Sequence, residues 1–199
     1  MTHYTLIGSA STRAARPLWM LEELGVPYEH VGAKPHSDPV THHYPRGKVP
    51  VLLVDGEPLT DSTAILQYLA DAHGQFTAPA GTMARGRQDS VMQMLLDEFD
   101  AVLWTAARHS FILPEEHRVP AIKESLRWEL SRNQAALVRR MGDHPYAAGD
   151  AFTIADIVLM HCLIWAKAAK FEIAEPALGA YAARIGARPA FQRVFAKGQ

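Results

Sequence analysis

The pattern of apolar and polar positions changes character once along this chain. Up to Gly74, short apolar runs that fit strands alternate with segments of helical periodicity. The pattern predicts, in order, a strand, a helix, a strand, a β-hairpin and a helix at residues 3–7, 13–24, 28–31, 51–59 and 62–73. Residues 35–44 are predicted to be a loose connection. This βαβ-ββα order predicts a small mixed sheet with helices packed against it.

From Met83 onward the periodicity is helical throughout. Helices are predicted at residues 83–111, 120–141, 153–170 and 175–185, followed by a short helix after Pro189. Residues 75–82 contain Pro79 and Gly81 and have the composition of a linker. The sequence therefore predicts two domains, an α/β domain at residues 1–76 and an all-α domain at residues 83–199.

The most informative local pattern surrounds Pro50. A proline cannot donate to a sheet ladder, and this one directly precedes the apolar run Val51–Val54, so it marks a strand entrance. Asp55-Gly56 is a two-residue hairpin turn, and Asp61-Ser62 begins the next helix. If the bond between Val49 and Pro50 is cis, the main chain of Val49 is free to pair with an extended peptide. The helix N-terminus beside it favours a carboxylate. Together these features predict a site for a small anionic peptide.

Four motifs in the chain resemble the glutathione transferase family, and they occur in the order and spacing that the family shows. They are V-P-V-L with D-S-T-A-I at residues 49–65, R-P-L-W-M-L-E-E-L-G-V-P-Y-E at 16–29, F-T-I-A-D-I at 152–157 and A-R-P-A-F at 187–191. The resemblance covers nearly the whole chain. It implies a thioredoxin-like N-terminal domain, an all-helical C-terminal domain, glutathione as co-substrate and a cytoplasmic homodimer.

The resemblance places the chemistry in residues 9–13, between the first strand and the first helix. A hydroxyl there can donate a hydrogen bond to a thiolate, and the helix dipole adds positive potential. Thr12 lies where serine-type and cysteine-type members carry their activating residue, and Ser11 lies where some bacterial members carry a threonine. Ile7 occupies the position of the tyrosine-type members, which contradicts a tyrosine mechanism. We therefore rank Thr12 first, Ser11 second and Ser9 third, while helix capping by these hydroxyls remains an alternative.

The resemblance also implies a set of residues that bind glutathione. They are Arg13, Lys48, Val49, Pro50, Asp61 and Ser62. Asp61 is expected to hold the γ-glutamyl amine, and the hydroxyl and N–H of Ser62 its carboxylate. Lys48 is either a counter-charge for the glycyl carboxylate or a solvated turn lysine, and the role of Arg13 is similarly open.

Two further features favour a structural interpretation. Thr153 to Asp156 fits a helix capping box, with Phe152 and Ile157 as its hydrophobic staple. Cys162 lies on the apolar face of the same predicted helix, which indicates an inert core thiol. The histidines lack the spacing to cysteine or carboxylate partners that metal ligands show, so no metal is expected.

The composition limits the kinds of partner that the protein is expected to bind and the compartment in which it is expected to reside. The chain has 199 residues, a net charge of −1 and 48% apolar residues, so it has no basic excess that would favour nucleic acid or anionic membrane. A single cysteine excludes an intramolecular disulfide framework and fits a reducing compartment. No apolar run approaches the ~18 residues of a membrane span, and the first residues lack a leader pattern. We therefore expect a cytoplasmic protein.

Three classes of function fit the sequence. The favoured one is a transferase that joins the glutathione thiolate to a small, hydrophobic electrophile. The alternatives are a glutathione-dependent peroxidase or disulfide reductase, and a noncatalytic protein that binds glutathione or another ligand. The aromatic and basic residues expected to face the acceptor are Trp104, Arg108, His109, Phe111 and Trp165.

Overall fold

The computed structural model describes residues 2–196 and contains a four-stranded mixed sheet within them. Its strands are β1 (Tyr4–Ile7), β2 (Glu29–Val31), β3 (Val51–Val54) and β4 (Glu57–Thr60), in the order β2-β1-β3-β4. Strand β1 runs parallel to β2 and antiparallel to β3, so Leu6 lies opposite both His30 and Leu52. Strand β4 returns antiparallel to β3. The predicted α/β fold of the first part of the chain is confirmed.

Three helices accompany this sheet: α1 (Ala15–Leu24), α2 (Asp38–Thr41) and α3 (Ser62–His73). Helix α1 begins two residues later than predicted, because the residues around Thr12 form hydrogen-bonded turns instead of helix. Helix α2 lies in a segment predicted to be loose, where Asp38-Pro39 forms the first turn. Helix α3 ends as predicted at Gly74, which adopts the left-handed conformation.

The core of this part lies between the sheet and helices α1 and α3. Its fully buried side chains include Leu6, Trp19, Met20, Leu21, Leu52, Ile65, Leu66 and Leu69. Strands β1 and β3 are the central strands of the sheet, which is why their apolar positions are buried. The side chains of β2, at one edge, are all exposed. The inner strands and α1 thus form a rigid base for the loop that connects β1 to α1.

The second part of the described chain is mostly helical, as predicted. Its helices are α4 (Met83–Leu95), α5 (Ala101–Ala107), α6 (Ile122–Met141), α7 (Ile154–Ala168) and α8 (Pro176–Gly186). The single helix predicted for residues 83–111 is interrupted by π-helical turns at Leu96–Asp100 and Arg108–Ile112. Apolar periodicity does not distinguish such wider turns from α-helix, so no sequence pattern predicted them. Among residues 2–196, no helix combines the length and apolar composition needed to cross a bilayer.

The predicted capping box at the start of α7 is confirmed. The Thr153 hydroxyl accepts from the N–H of Ala155 at 3.3 Å, and the Asp156 carboxylate accepts from the N–H of Thr153 at 2.8 Å. Asp156 is fully buried and also accepts from the Ala147 N–H and the Tyr181 hydroxyl. Burial raises the pKa of Asp156, and these hydrogen bonds oppose the rise. Its two oxygens therefore join the start of α7 to the preceding loop and to α8.

The contacts divide the chain into two compact units, and the last helix belongs to the first of them. That unit comprises residues up to 79 and residues from 186 onward, and the second spans residues 80–185. Helix α9 (Pro189–Ala196) packs on α1, where the rings of Trp19 and Phe191 meet edge to face at 5.0 Å. The sequence-based division at residues 76 and 83 instead assigned this last helix to the C-terminal domain.

Two ion pairs join α9 and the residue before it to α1. The Arg188 guanidinium binds both carboxylate oxygens of Glu23, at 2.7 and 2.8 Å. Glu23 also accepts from the Trp19 indole N–H at 2.8 Å. Arg193 pairs with Glu22 at 2.5 Å. The Glu23 side chain is only 9% exposed, so its pair with Arg188 is better shielded from solvent than a surface pair.

We predict that Arg188→Met lowers the free energy of unfolding by about 1–2 kcal/mol, because it leaves a mostly buried carboxylate without its bidentate partner. Chemical denaturation at neutral pH measures the change. The matched control is Glu29→Gln, which removes the exposed pair between Glu29 and His3. That variant should lie within about 0.5 kcal/mol of the wild type. Equal losses in both variants would contradict a special role for Arg188.

Candidate functional site

Gly8 is the point where the β1–α1 loop meets the β3 hairpin. It follows β1 directly, and its φ is +142°. A Cβ placed on Gly8 would lie 2.8 Å from the Cβ of Ala14 and 3.1 Å from the Cβ of Val49. A side chain at this position would therefore separate the loop from Val49. The close approach brings the predicted hydroxyls and the predicted peptide-binding residue into one region.

The three predicted hydroxyls share a local hydrogen-bond network. The Oγ atoms of Ser9 and Ser11 lie 2.9 Å apart, and the N–H of Ser11 also donates to Ser9 Oγ at 3.3 Å. The Thr12 hydroxyl donates to the Ser9 carbonyl at 2.7 Å and accepts from the N–H of Ala14 at 3.2 Å. A hydroxyl has one proton, so Thr12 acts as a turn-stabilising group in this arrangement. The serine pair holds two protons and uses one between its members.

The bond between Val49 and Pro50 is cis, which is the geometry that the predicted peptide site before β3 requires. Val49 precedes the first residue of β3 and lies beyond the register that pairs β3 with its neighbours. Its side chain packs against a small apolar cluster that includes Ile7 and Val51. Lys48, one residue earlier, is exposed, and Arg13 is half-buried in the turns before α1.

Asp61 is the N-cap of α3. Its Oδ1 accepts from the N–H of Thr63 at 2.8 Å, from the Thr63 hydroxyl at 2.5 Å and from the N–H of Ala64 at 3.2 Å. Desolvation acts to raise the pKa of Asp61, but these hydrogen bonds and the nearby Arg16 charge outweigh it and hold the pKa below its ordinary value. Asp61 has a φ of +72°, which is uncommon outside glycine. The carboxylate is therefore ionised and fixed at the helix start.

Ser62 is held by a residue that the sequence interpretation missed. Its side chain is buried, and its Oγ accepts from Nη1 of Arg16 at 3.2 Å. Arg16 is only 1% exposed, in the first turn of α1. Arg16 shares the helix face of Trp19 and Met20, and a charged residue within such an apolar stripe was the available signal.

His30 is a second residue that no sequence pattern pointed to. It lies on edge strand β2, and its Nε2 is 2.8 Å from the carbonyl oxygen of Gly8. The N–H of Gly8 donates to the carbonyl of Val31, and the N–H of Ser9 donates to the carbonyl of Ala33. The base of the hydroxyl loop is thus joined to β2 and the residues that follow it.

The residues expected to face an acceptor all lie in the second unit. Arg108 donates to the Thr105 hydroxyl at 2.9 Å, and His109 accepts from the N–H of Val119 at 3.0 Å. The Phe111 side chain is exposed, whereas Trp165 is partly covered and lies beside the His161 ring. Within residues 2–196, no cluster of three His, Cys, Asp or Glu side chains could hold a metal ion.

Family profiles match both parts of the chain. The profile for the glutathione S-transferase N-terminal domain matches residues 7–77, and that for the C-terminal domain matches residues 130–196. The chain belongs to the glutathione S-transferase family. This membership confirms the family that the four sequence motifs indicated. The assignment to its serine or cysteine type stays a prediction.

Individual relatives agree with this membership. Glutathione S-transferase GstA of Escherichia coli O157:H7 is 32% identical over 152 residues, covering 74% of this chain and 72% of the relative. The bacterial transferase BphK, solved as a ternary complex, superposes with a TM-score of 0.87 at 26% identity and covers 98% and 100% of the two chains. A sphingomonad glutathione S-transferase solved with glutathione has a TM-score of 0.81 at 30% identity, covering 96% of each chain.

We predict that Gly8→Ala lowers the free energy of unfolding by about 2–4 kcal/mol, since the methyl group meets Ala14 and Val49 and the backbone conformation disfavours L side chains. Thermal and denaturant unfolding measure the loss. Gly25→Ala is the matched control, because Gly25 also has a positive φ but has no atom within 4 Å of an added Cβ. It should lose only about 1–2 kcal/mol. Similar losses would show that the close approach at Gly8 contributes nothing.

We predict that the stability difference between wild type and Asp61→Asn depends on pH. Asparagine keeps an acceptor for the helix cap but removes the charge. Because the folded-state pKa of Asp61 is below its unfolded value of about 3.9, the charge stabilises the fold above that pH. The contribution is lost as pH falls through the folded-state pKa. Denaturation at pH 7 and at steps below pH 4 should show a narrowing difference. A constant difference would contradict the lowered pKa.

Proposed function

We propose that this protein is a glutathione transferase that conjugates the glutathione thiolate to a small, hydrophobic electrophile. The observation that carries the proposal is the close approach of Gly8 to Val49, which leaves no room for a Cβ on Gly8 and sets the hydroxyl loop beside the cis-proline turn. A tripeptide that pairs with the main chain of Val49 would present its central side chain to that loop. The transferases described above, one of them solved with glutathione, support the same activity.

The charged ends of glutathione match the two flanks of this region. At the γ-glutamyl end, the amine would bind Oδ2 of Asp61, because the hydrogen bonds that Asp61 accepts from Thr63 and Ala64 use Oδ1. The γ-glutamyl carboxylate would bind the N–H and hydroxyl of Ser62 at the positive end of α3. The glycyl carboxylate would lie toward Lys48 or Arg13, and the peptide before Pro50 would bind the cysteinyl main chain.

The chemical step needs a thiolate at neutral pH. An ordinary cysteine thiol has a pKa of about 8.5, so a decrease of ~1–2 units makes most of it ionised. A hydroxyl donor of the loop stabilises that thiolate, and the thiol proton leaves to solvent. The sulfur then forms a bond to the electrophilic carbon, while a leaving group such as halide departs with the electron pair of the broken bond.

The proton positions favour the serine pair over Thr12 as the donor to sulfur. The Thr12 proton is directed at the Ser9 carbonyl. If Ser9 donates to Ser11, the exposed Ser11 hydroxyl has a proton left for the thiolate. Ser9 then orients Ser11, and Thr12 maintains the turn. The sequence ranking placed Thr12 first, so the two rankings make opposite predictions.

We infer that the protein is cytoplasmic and forms a homodimer. The single cysteine, which is buried, fits a reducing compartment. The dimer rests on the family resemblance. Tyr68 on α3 and Met83 at the start of α4 are large apolar side chains exposed in the single chain, and both are available to an interface.

We expect the purified protein to release halide from a generic aromatic halide in the presence of glutathione. Ser62→Ala should raise the KM for glutathione about 10-fold through the loss of one charge-assisted hydrogen bond. Ser37→Ala, which removes a hydroxyl from the same unit but outside this region, should match the wild type. Turnover only with a peroxide or a mixed disulfide would favour the reductase alternative. Binding of glutathione without any turnover would favour a noncatalytic protein.

We predict that Ser11→Ala raises the thiol pKa of bound glutathione more than Ser9→Ala does, and that Thr12→Ala mainly lowers the melting temperature. Loss of one donor to a developing anion costs on the order of 100-fold in rate, so the rate loss on substituting the true donor is large enough to measure. The ultraviolet absorbance of the thiolate, titrated against pH, measures the shift. If Thr12→Ala raises the thiol pKa most, Thr12 is the donor, as the sequence analysis ranked it. If none of the three substitutions changes the titration of the bound thiol, the main chain rather than a side-chain hydroxyl stabilises the thiolate.

A further inference from the structure

We propose that His30 is a positioning residue for catalysis, which orients the hydroxyl loop at residues 9–12 through its hydrogen bond to the Gly8 carbonyl. The proposal rests on the proposed function, because it concerns the same loop. His30 belongs to β2 and lies outside residues 9–12. Its action on the thiolate is therefore indirect, through the main chain of Gly8 and Ser9.

The hydrogen bond from His30 is one of two that hold the peptide group between Gly8 and Ser9. The carbonyl of Gly8 and the N–H of Ser9 belong to the same planar unit. His30 Nε2 holds the carbonyl at 2.8 Å, and the carbonyl of Ala33 holds the N–H at 3.0 Å. With both polar atoms bound from outside the loop, the plane of this peptide is fixed. The direction in which the main chain enters Ser9 is fixed with it.

Gly8 is where two such hydrogen bonds are needed most. Glycine has the widest range of main-chain conformations, so the peptide that follows it is the least restricted by sterics alone. Gly8 has a φ of +142°, a conformation that residues with a Cβ rarely adopt. The N–H of Gly8 is bound by Val31, which leaves the following peptide as the remaining freedom. His30 and the carbonyl of Ala33 together remove that freedom.

The fixed peptide orients the whole hydroxyl network. The Ser9 carbonyl accepts from both the N–H and the hydroxyl of Thr12, and Ser9 Oγ pairs with Ser11 Oγ. A rotation of the Gly8–Ser9 peptide therefore displaces every donor that the loop offers to sulfur. A misplacement of about 1 Å in a reacting geometry can cost on the order of 100-fold in rate.

The direction of the hydrogen bond follows from its acceptor. A carbonyl only accepts, so Nε2 of His30 has the proton, and this tautomer is assigned from the network. Since the side chains of β2 are exposed, His30 contributes little to the core, and its removal should affect the loop more than the fold.

The test compares His30→Gln with His30→Glu. The two side chains have nearly the same size, but only glutamine has an N–H to donate to the Gly8 carbonyl. We expect His30→Glu to lower kcat about 10-fold, to change the KM for glutathione less than about twofold and to raise the thiol pKa of bound glutathione. His30→Gln should stay within about twofold of the wild type in all three. His3→Ala, which changes an exposed histidine directly before β1, is the control.

Amide hydrogen exchange of Ser9 and Thr12, followed by NMR without glutathione, gives a readout independent of activity. Exchange of both amides should accelerate in His30→Glu and stay slow in His30→Gln, with melting temperatures close to wild type. Equal behaviour of the two variants, in exchange or in kcat, would overturn the proposal. If the wild type neither binds nor conjugates glutathione, the proposed function fails, and the exchange data alone still decide whether His30 orients the loop.

Discussion

A buried positive charge organises the candidate site. The Arg16 guanidinium is almost fully enclosed, and burial of a charge is costly unless partners compensate it. Its bond to the Ser62 hydroxyl and its attraction to the Asp61 carboxylate supply part of that compensation. Because Arg16 lies at the start of α1 and Ser62 at the start of α3, their hydrogen bond holds the two helix N-termini together. The loop before α1 and the predicted γ-glutamyl site therefore share one anchor.

The site depends as much on main-chain geometry as on side chains. Gly8 permits contact between the loop and Val49 because it lacks a Cβ, and hydrogen bonds from outside the loop fix the peptide that follows it. Which hydroxyl of the loop can donate to the sulfur then depends on which of them has a proton that is not already used. Thr12 directs its proton to a neighbouring carbonyl, whereas the Ser9–Ser11 pair has one proton in excess. Position in the sequence and hydrogen-bond geometry thus favour different donors.

Features written in a few consecutive residues could be predicted from the sequence. Asp61 and Gly74 delimit α3, and Thr153 with Asp156 caps α7, because capping preferences act over three or four residues. The missed features depend on distant partners. Arg16 acts across 46 residues and His30 across 22, and no local pattern encodes either bond. The late start of α1 has a local origin instead, since the hydrogen bonds of Thr12 with Ser9 and Ala14 compete with helix formation there.

The return of α9 to the first unit has a consequence for synthesis of the protein. Residues 80–185 leave the ribosome after most of the first unit and before α9. Until then the surface of α1 around Trp19 and the carboxylates of Glu22 and Glu23 lack the partners that α9 and Arg188 provide. The first unit to be translated is therefore the last to be completed. A chain stalled before residue 188 would present an apolar surface bordered by two acidic groups to the chaperones of the cell.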